Sequence, residues 1–262
     1  MKRYPVPLVP GPTTVPEEIL AAGHFDFGSG DMEAEFFDQY ARVEEKLRSI
    51  IRTRHRIAIM SGEAMVVLWG ALKSTLAPGD RVLSVATGVF GYGIAEMART
   101  ITAEVQVVGF EYDEAADPEK VSAAIAAFRP RMVTMVHVEA PSGVVNPVAA
   151  VGEAVRAHGV PLFYVDAVAG AGGAELATDD WGIDLCLLGS QKCFSPRRAW
   201  GWWPSASGPG PRSTGRATRD TTPWPRSGTP WRAAGFPTPP PGMPSPVWRR
   251  PATGSFPSGW IR

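Results

Sequence analysis

The stretch Pro161 to Lys192, PLFYVDAVAGAGGAELATDDWGIDLCLLGSQK, pairs one acid with one amine across two apolar runs. LFYV has the fully apolar character of a buried parallel strand, so Asp166 at its C-terminal end stands where open α/β sheets bind ligands. The second run, Ile183 to Leu188, leads into Gly189, Ser190, Gln191 and Lys192 and brings an amine to the end of another strand in the same crevice. That arrangement suits pyridoxal chemistry. A lysine can form a Schiff base, while an aspartate facing the pyridine nitrogen keeps the ring protonated as an electron sink. Taken alone, the two residues also fit a surface lysine after a strand and a capping aspartate.

The elements that would position them are legible in order. Leu8 to Val15 (LVPGPTTV) is too rich in proline and β-branched residues for a helix and reads as an extended arm, of the kind that crosses to a partner subunit. Apolar residues at helical spacing, Phe36, Phe37, Tyr40, Val43, Leu47 and Ile50, predict an amphipathic helix over Glu33 to Arg54. A short strand, Ile57 to Met60, runs through Ser61, Gly62 and Glu63 into a helix from Ala64 to Leu76. This turn presents a helix N-terminus suited to an anion such as a cofactor phosphate.

From Arg81 the chain alternates regularly. Strands are expected at Arg81 to Ala86, Val105 to Phe110, Met132 to Val138 and up to Asp166, separated by helices at Gly93 to Ile101, Pro118 to Phe128 and Val148 to His158. This predicts an α/β fold with a mostly parallel sheet covered by helices. GVFGYG lies after the first of these strands, where Phe90 could stack on a cofactor ring or cap the core. Ser142, in EAPSG, could offer a hydroxyl to a ring oxygen or serve as an ordinary turn serine.

The chain has 262 residues, 44% of them hydrophobic, enough for one large domain or two modest ones. No apolar run approaches the ~18 to 20 residues of a membrane span, and prolines in MKRYPVPLVPGP interrupt the apolar core a signal peptide needs, which favours the cytoplasm. Cys186 and Cys193 are the only cysteines and read as packing residues; they indicate neither a disulfide framework nor a metal site. The net charge of zero hides a break. Residues 1–196 hold 16 Lys/Arg against 25 Asp/Glu, whereas residues 197–262 hold 10 Arg, no Lys and a single Asp.

That tail has no leucine and seven of the nine tryptophans, and neither a helix nor a strand period runs through it. A basic, aromatic-rich tail could bind nucleic acid or acidic lipid, but a shifted reading frame is the simpler account. Tryptophan has a single codon, so R-A-W-G-W-W-P at Arg198 to Pro204 constrains the bases. Read two positions later, they allow P-P-G-L-G-V-V-A, a glycine turn followed by a buried strand. One base lost near Phe194 would produce this, leaving a tail unable to offset its ordering entropy and expected to be disordered. The expected division is an N-terminal arm over 1–30, an incomplete large domain over 31–196 and an out-of-frame tail over 197–262.

PGPTTV, SGE, GVFGYG, EAPSGVVNP, VDAVAGAGG, WGID and GSQK, in this order over residues 8–193, resemble the class V aminotransferases, fold-type I pyridoxal phosphate enzymes that include alanine–glyoxylate and serine–pyruvate aminotransferases. The resemblance implies pyridoxal 5'-phosphate as cofactor, with Lys192 as the Schiff-base lysine, Asp166 as the pyridine-nitrogen partner and Phe90 as the stacking aromatic. It places Gly62, Glu63 and Ala64 on the phosphate loop, Val168 on the ring's other face, Gln191 at the phosphate and Ser142 as the candidate hydroxyl partner. It implies transamination between a small amino acid, of the alanine or serine type, and glyoxylate or pyruvate, by a homodimer with no nucleic-acid or membrane partner.

Three departures from the family pattern matter. Pro141-Ser142-Gly143 stands where Ser-Thr-Gly is common. The C-terminal domain, with the arginine expected to bind the substrate carboxylate, is missing from the written chain. Glu63 places an acid in the phosphate loop, as in pyridoxamine–pyruvate aminotransferase, whose pyridoxal or pyridoxamine ligand has no phosphate and is itself the substrate. A cysteine desulfurase would usually carry histidine where Phe90 stands and a sulfur-accepting cysteine beyond Cys193. A non-catalytic fragment that binds cofactor poorly is the alternative from another class.

Overall fold

The computed structural model describes residues 9–24, 32–102 and 104–194, and the backbone of residues 200–205. Helix α1 (Glu17–Ala22) is followed by α2 (Ala34–Ile51), β1 (Arg56–Ser61), α3 (Ala64–Thr75), β2 (Val82–Ala86), α4 (Val89–Arg99), β3 (Val105–Gly109) and α5 (Pro118–Phe128). Then come β4 (Met132–Val136), β5 (Val138–Glu139), β6 (Val144–Val145), α6 (Val148–Ala157), β7 (Leu162–Asp166), β8 (Leu185–Gly189) and β9 (Trp200–Ser205). Seven strands form one sheet in the order β1-β9-β8-β7-β4-β2-β3, and β5 pairs with β6 in a short hairpin. Strands β3, β2, β4, β7 and β8 are mutually parallel, and β9 runs antiparallel to both its neighbours. The expected α/β architecture, with a mostly parallel sheet between helices, is the one observed.

Every residue of β2, β4 and β8 is buried, because helices cover both faces of the sheet. The pleat sorts side chains by parity. Leu83, Val133, Phe163, Val165 and Leu188 pack with Leu47, Val121 and Val151 of α2, α5 and α6. On the opposite face Val82, Met132, Tyr164 and Leu187 pack with Leu68, Leu72 and Ile94 of α3 and α4. Asp166 lies two residues beyond Tyr164, and so points to the α3/α4 face at the C-terminal end of a central strand. Tyr164 anchors that face by donating its hydroxyl hydrogen to the Leu68 carbonyl at 3.1 Å.

Several expectations are corrected. Helix α4 begins at Val89, not Gly93, so most of GVFGYG is helix rather than loop. Glycine is a poor helix former, but a Cβ on Gly91 would come within 2.7 Å of Ala86 Cα, so the glycine lets this turn pack directly onto β2. In α2 the buried residues are Glu44, Leu47 and Ile51, while Phe36, Phe37 and Ile50 are exposed. The face of α2 that carries Tyr40 and Glu44 lies against the edge strand β1. Glu44 accepts the Ile57 N–H at 3.0 Å and Tyr40 Oη accepts that of Ile59 at 2.8 Å, which satisfies edge groups of β1. The short helix α1 and the β5–β6 hairpin have no counterpart in the sequence reading.

Thr13 donates its N–H to Gln191 O at 3.1 Å and its hydroxyl hydrogen to Lys192 O at 2.8 Å, so residues around it lie on the chain's own lysine turn. Within the tail, through which no strand period could be drawn, residues 200–205 nevertheless form a strand. Trp200–Ser205 pairs in register with β1, Ile59 opposite Trp202, and with β8, Leu188 opposite Trp202. The remaining tail positions, and the expectation of disorder over them, lie outside the described residues.

Candidate active site

A cavity of about 260 Å³ opens at the C-terminal ends of β4, β7 and β8, beside the N-terminus of α3. Asp166 and Lys192 both line it, with Phe90, Val168, Glu63, Ala64 and Gln191 among their neighbours. Of the residues singled out from sequence, only Gly62 and Ser142 are not in the lining. Gly62, at φ 146°, serves instead as the turn before α3. Ser142 sits in the β5–β6 turn, where its hydroxyl accepts the Val144 N–H at 3.4 Å, and Ala140 is the residue of this turn that faces the cavity. Gly11, Pro12, Met65, Leu68, Val136, Val138 and Ala169 complete the wall and were not singled out. Their apolar or small character gave no chemical signal to find.

Asp166 is buried, and its Oδ1 accepts the Val168 N–H at 2.9 Å. No hydrogen bond among the described residues holds Oδ2. Burial pushes its pKa up to about 7, helped by the charges of Glu139 and Glu63, while the Val168 N–H and Lys192 pull it back. A cation or a charged N–H facing Oδ2 would favour the ionised carboxylate. Burial also lowers the pKa of Lys192, against the attraction of Asp166 and Glu63, which increases the fraction of neutral amine able to act as nucleophile. The lysine side chain passes close against the arm. A Cβ on Gly11, whose φ is 142°, would come within 2.6 Å of Lys192 Cδ.

Glu63 turns inward rather than to solvent alone. As N-cap of α3 its Oε2 accepts the Met65 N–H at 2.8 Å, and its Oε1 accepts Gln191 Nε2 at 3.0 Å. The Val66 N–H is taken by the Glu63 carbonyl. The helix N-terminus thus already holds an anion, and Gln191 Oε1 is buried without a partner. The cavity fits a pyridoxal ring by its donor set: an amine, a carboxylate with an unused oxygen, and the Phe90 and Val168 side chains as apolar walls. A phosphate fits less well, because it would compete with the Glu63 carboxylate for the same N–H groups. Two charges ~5 Å apart at an effective dielectric near 20 repel by about 3 kcal/mol.

The cysteines differ in setting. Cys186 is buried in β8, with its thiol pushed up to about 12 by burial, whereas Cys193 is exposed, unlike the packing residue expected of it. Among the described residues no cluster of His, Cys, Asp and Glu could hold a metal ion, and no helix is long and apolar enough to cross a membrane.

Known proteins resemble this chain in sequence and in fold. The (S)-ureidoglycine–glyoxylate transaminase of Bacillus subtilis (strain 168) is 34% identical over 189 residues, covering 72% of this chain and 45% of that protein. Rabbit (Oryctolagus cuniculus) alanine–glyoxylate aminotransferase is 31% identical over 189 residues, again 72% of this chain and 48% of the relative. The crystal structure of pyridoxamine–pyruvate aminotransferase from Mesorhizobium loti superposes with a TM-score of 0.72 at 28% identity, covering 76% of this chain and 51% of that one. The chain therefore spans about half the length of the relatives it matches. The family model of the class V aminotransferases matches residues 15–197, which takes in Asp166 at the end of β7 and Lys192 in the turn after β8, and the chain belongs to that family.

Proposed function

We propose that this chain carries the cofactor-binding half of a pyridoxal phosphate-dependent aminotransferase acting between a small amino acid, of the alanine or serine type, and glyoxylate or pyruvate. The observation that carries the reading is that Lys192 and Asp166 line one cavity together with Phe90 and Val168. Lys192 would hold the cofactor through Nζ. When bound, the pyridoxal ring supplies a sink for the electrons left as a Cα–H bond of the amino acid breaks. Lys192 Nζ, made less basic by desolvation and free once the amino acid's amine has taken its place, would take that proton from Cα and deliver it to the ligand carbon that had carried the carbonyl. Asp166 Oδ2 would keep a proton on the ring nitrogen, and Phe90 and Val168 would orient the ring.

The family resemblance further implies a homodimer, and the sequence favours the cytoplasm. The choice of amino donor and the division into arm, large domain and out-of-frame tail belong to the same reading. Titrating the protein with pyridoxal phosphate and then with L-alanine tests it. A yellow absorption band that forms with the first and is lost on adding the amino acid is expected; no band with any pyridoxal compound would overturn it.

A second reading is favoured by Glu63. Its carboxylate, bound to the Met65 N–H and Gln191, stands where a cofactor phosphate would use the helix N-terminus. On this reading pyridoxamine or pyridoxal without phosphate is the substrate, and pyruvate the partner. Tighter binding of pyridoxal than of pyridoxal phosphate would select it.

A further inference from the structure

Glu139 ends β5 fully buried, and none of the ion pairs among the described residues includes it. Its Oε1 accepts the Phe90 N–H at 2.9 Å and its Oε2 lies 3.4 Å from the Gly91 N. These are first-turn N–H groups of α4, a helix whose own N-cap, Gly88, has no side chain to offer. The cap arrives instead from a residue distant in sequence. Gly88 leaves room for it, since a Cβ there would meet Glu139 Cγ at 2.4 Å and Cδ at 2.7 Å. Burial raises the Glu139 pKa while the two N–H groups lower it, a balance typical of a carboxylate committed to a helix end.

The clamped turn carries Phe90, and the strand connection that carries Glu139 also contributes Val138 and Ala140 to the cavity wall. We infer that Glu139 is a positioning residue, whose buried carboxylate holds the first turn of α4 so that the Phe90 ring is fixed as a wall of the cavity containing Asp166 and Lys192. The inference rests on the proposed function only in supposing that a ring ligand uses this wall. Glutamine is a nearly isosteric probe. Its amide NH₂ would face one of the two backbone donors and break the double clamp.

The test compares Glu139→Gln in the wild-type and Phe90→Ala backgrounds, with Gly88→Ala as an independent variant that displaces the carboxylate by contact while leaving Glu139 itself unsubstituted. Without ligand, amide hydrogen exchange at Phe90 and Gly91 should quicken at least tenfold in either variant, while the Met65 amide, capped by Glu63, keeps its rate. With pyridoxal as probe, the dissociation constant read by absorbance should rise about tenfold with Phe90 present and less than twofold once Phe90 is alanine. Unchanged exchange at Phe90 and Gly91, or equal losses of affinity in both backgrounds, would overturn the inference. A parent protein that fails to bind pyridoxal would remove the proposed function instead, and the exchange rates would then decide the role of Glu139. If Glu139→Gln fails to fold, Gly88→Ala carries the same comparison.

Discussion

Replacing Asp166 with asparagine should make the ligand-free protein more stable at neutral and alkaline pH while removing its chemistry. The carboxyl group is buried and its pKa stands at about 7 against an ordinary 3.8. Between those values the unfolded chain has lost the proton and the folded protein keeps it, so stability falls as pH rises through this window. About three pH units at 1.36 kcal/mol each give a loss on the order of 4 kcal/mol, complete above the folded value. Asparagine keeps an oxygen for the Val168 N–H and carries no charge, so it mimics the neutral acid at every pH. Urea unfolding of both proteins from pH 4 to pH 8 measures the difference. The curves should nearly coincide at pH 4 and diverge by a few kcal/mol at pH 8 in favour of asparagine. A difference independent of pH, or an asparagine variant less stable at pH 8, would refute the reasoning. Transamination by the variant should be lower by several orders of magnitude, because a neutral ring is a poor electron sink.

Glu63→Ser should shift preference toward pyridoxal phosphate over pyridoxal by roughly 100-fold, the equivalent of the ~3 kcal/mol repulsion removed, as read from the two dissociation constants. Gly11→Ala forces a Cβ against Lys192 Cδ at a φ of 142° and should lower stability by about 1 to 3 kcal/mol in denaturant unfolding, with slower attachment of pyridoxal to Lys192. Tyr164→Phe removes the hydroxyl that bonds Leu68 O and should cost about 1 kcal/mol of unfolding free energy, with little change in pyridoxal affinity since the ring stays in place.

The parallel strands and their helices could be read from sequence because each repeats a simple pattern: a short apolar run, a turn and an amphipathic stretch. Helix α5 starts at Pro118 as expected, and in the structure the Asp117 side chain before it accepts the Glu119 N–H. What escaped depended on contacts distant in the chain. Gly88 and Gly91 looked like loop residues because the glutamate that caps α4 and the strand that receives Gly91 lie elsewhere in the sequence. The stripe on α2 was misplaced for a similar reason: Glu44, a charged residue that a periodicity argument assigns to solvent, is buried against β1. Within the site, Asp166 and Lys192 were found through their chemistry at strand ends. Gly11 and Pro12 were not, because an arm that folds back onto the lysine turn has no periodic signal. The strand at Trp200–Ser205 was missed because its two pairing partners, β1 and β8, supply the order that its own composition does not suggest.

The account turns on Lys192 as the amine that attaches a pyridoxal carbonyl beside Asp166. Incubating the protein with pyridoxal, reducing with borohydride and mapping the modified peptide by mass spectrometry tests this directly. The label should fall on Lys192 and be lost in Lys192→Ala; a label on Lys73 or Lys120 instead, or none at all, would contradict it.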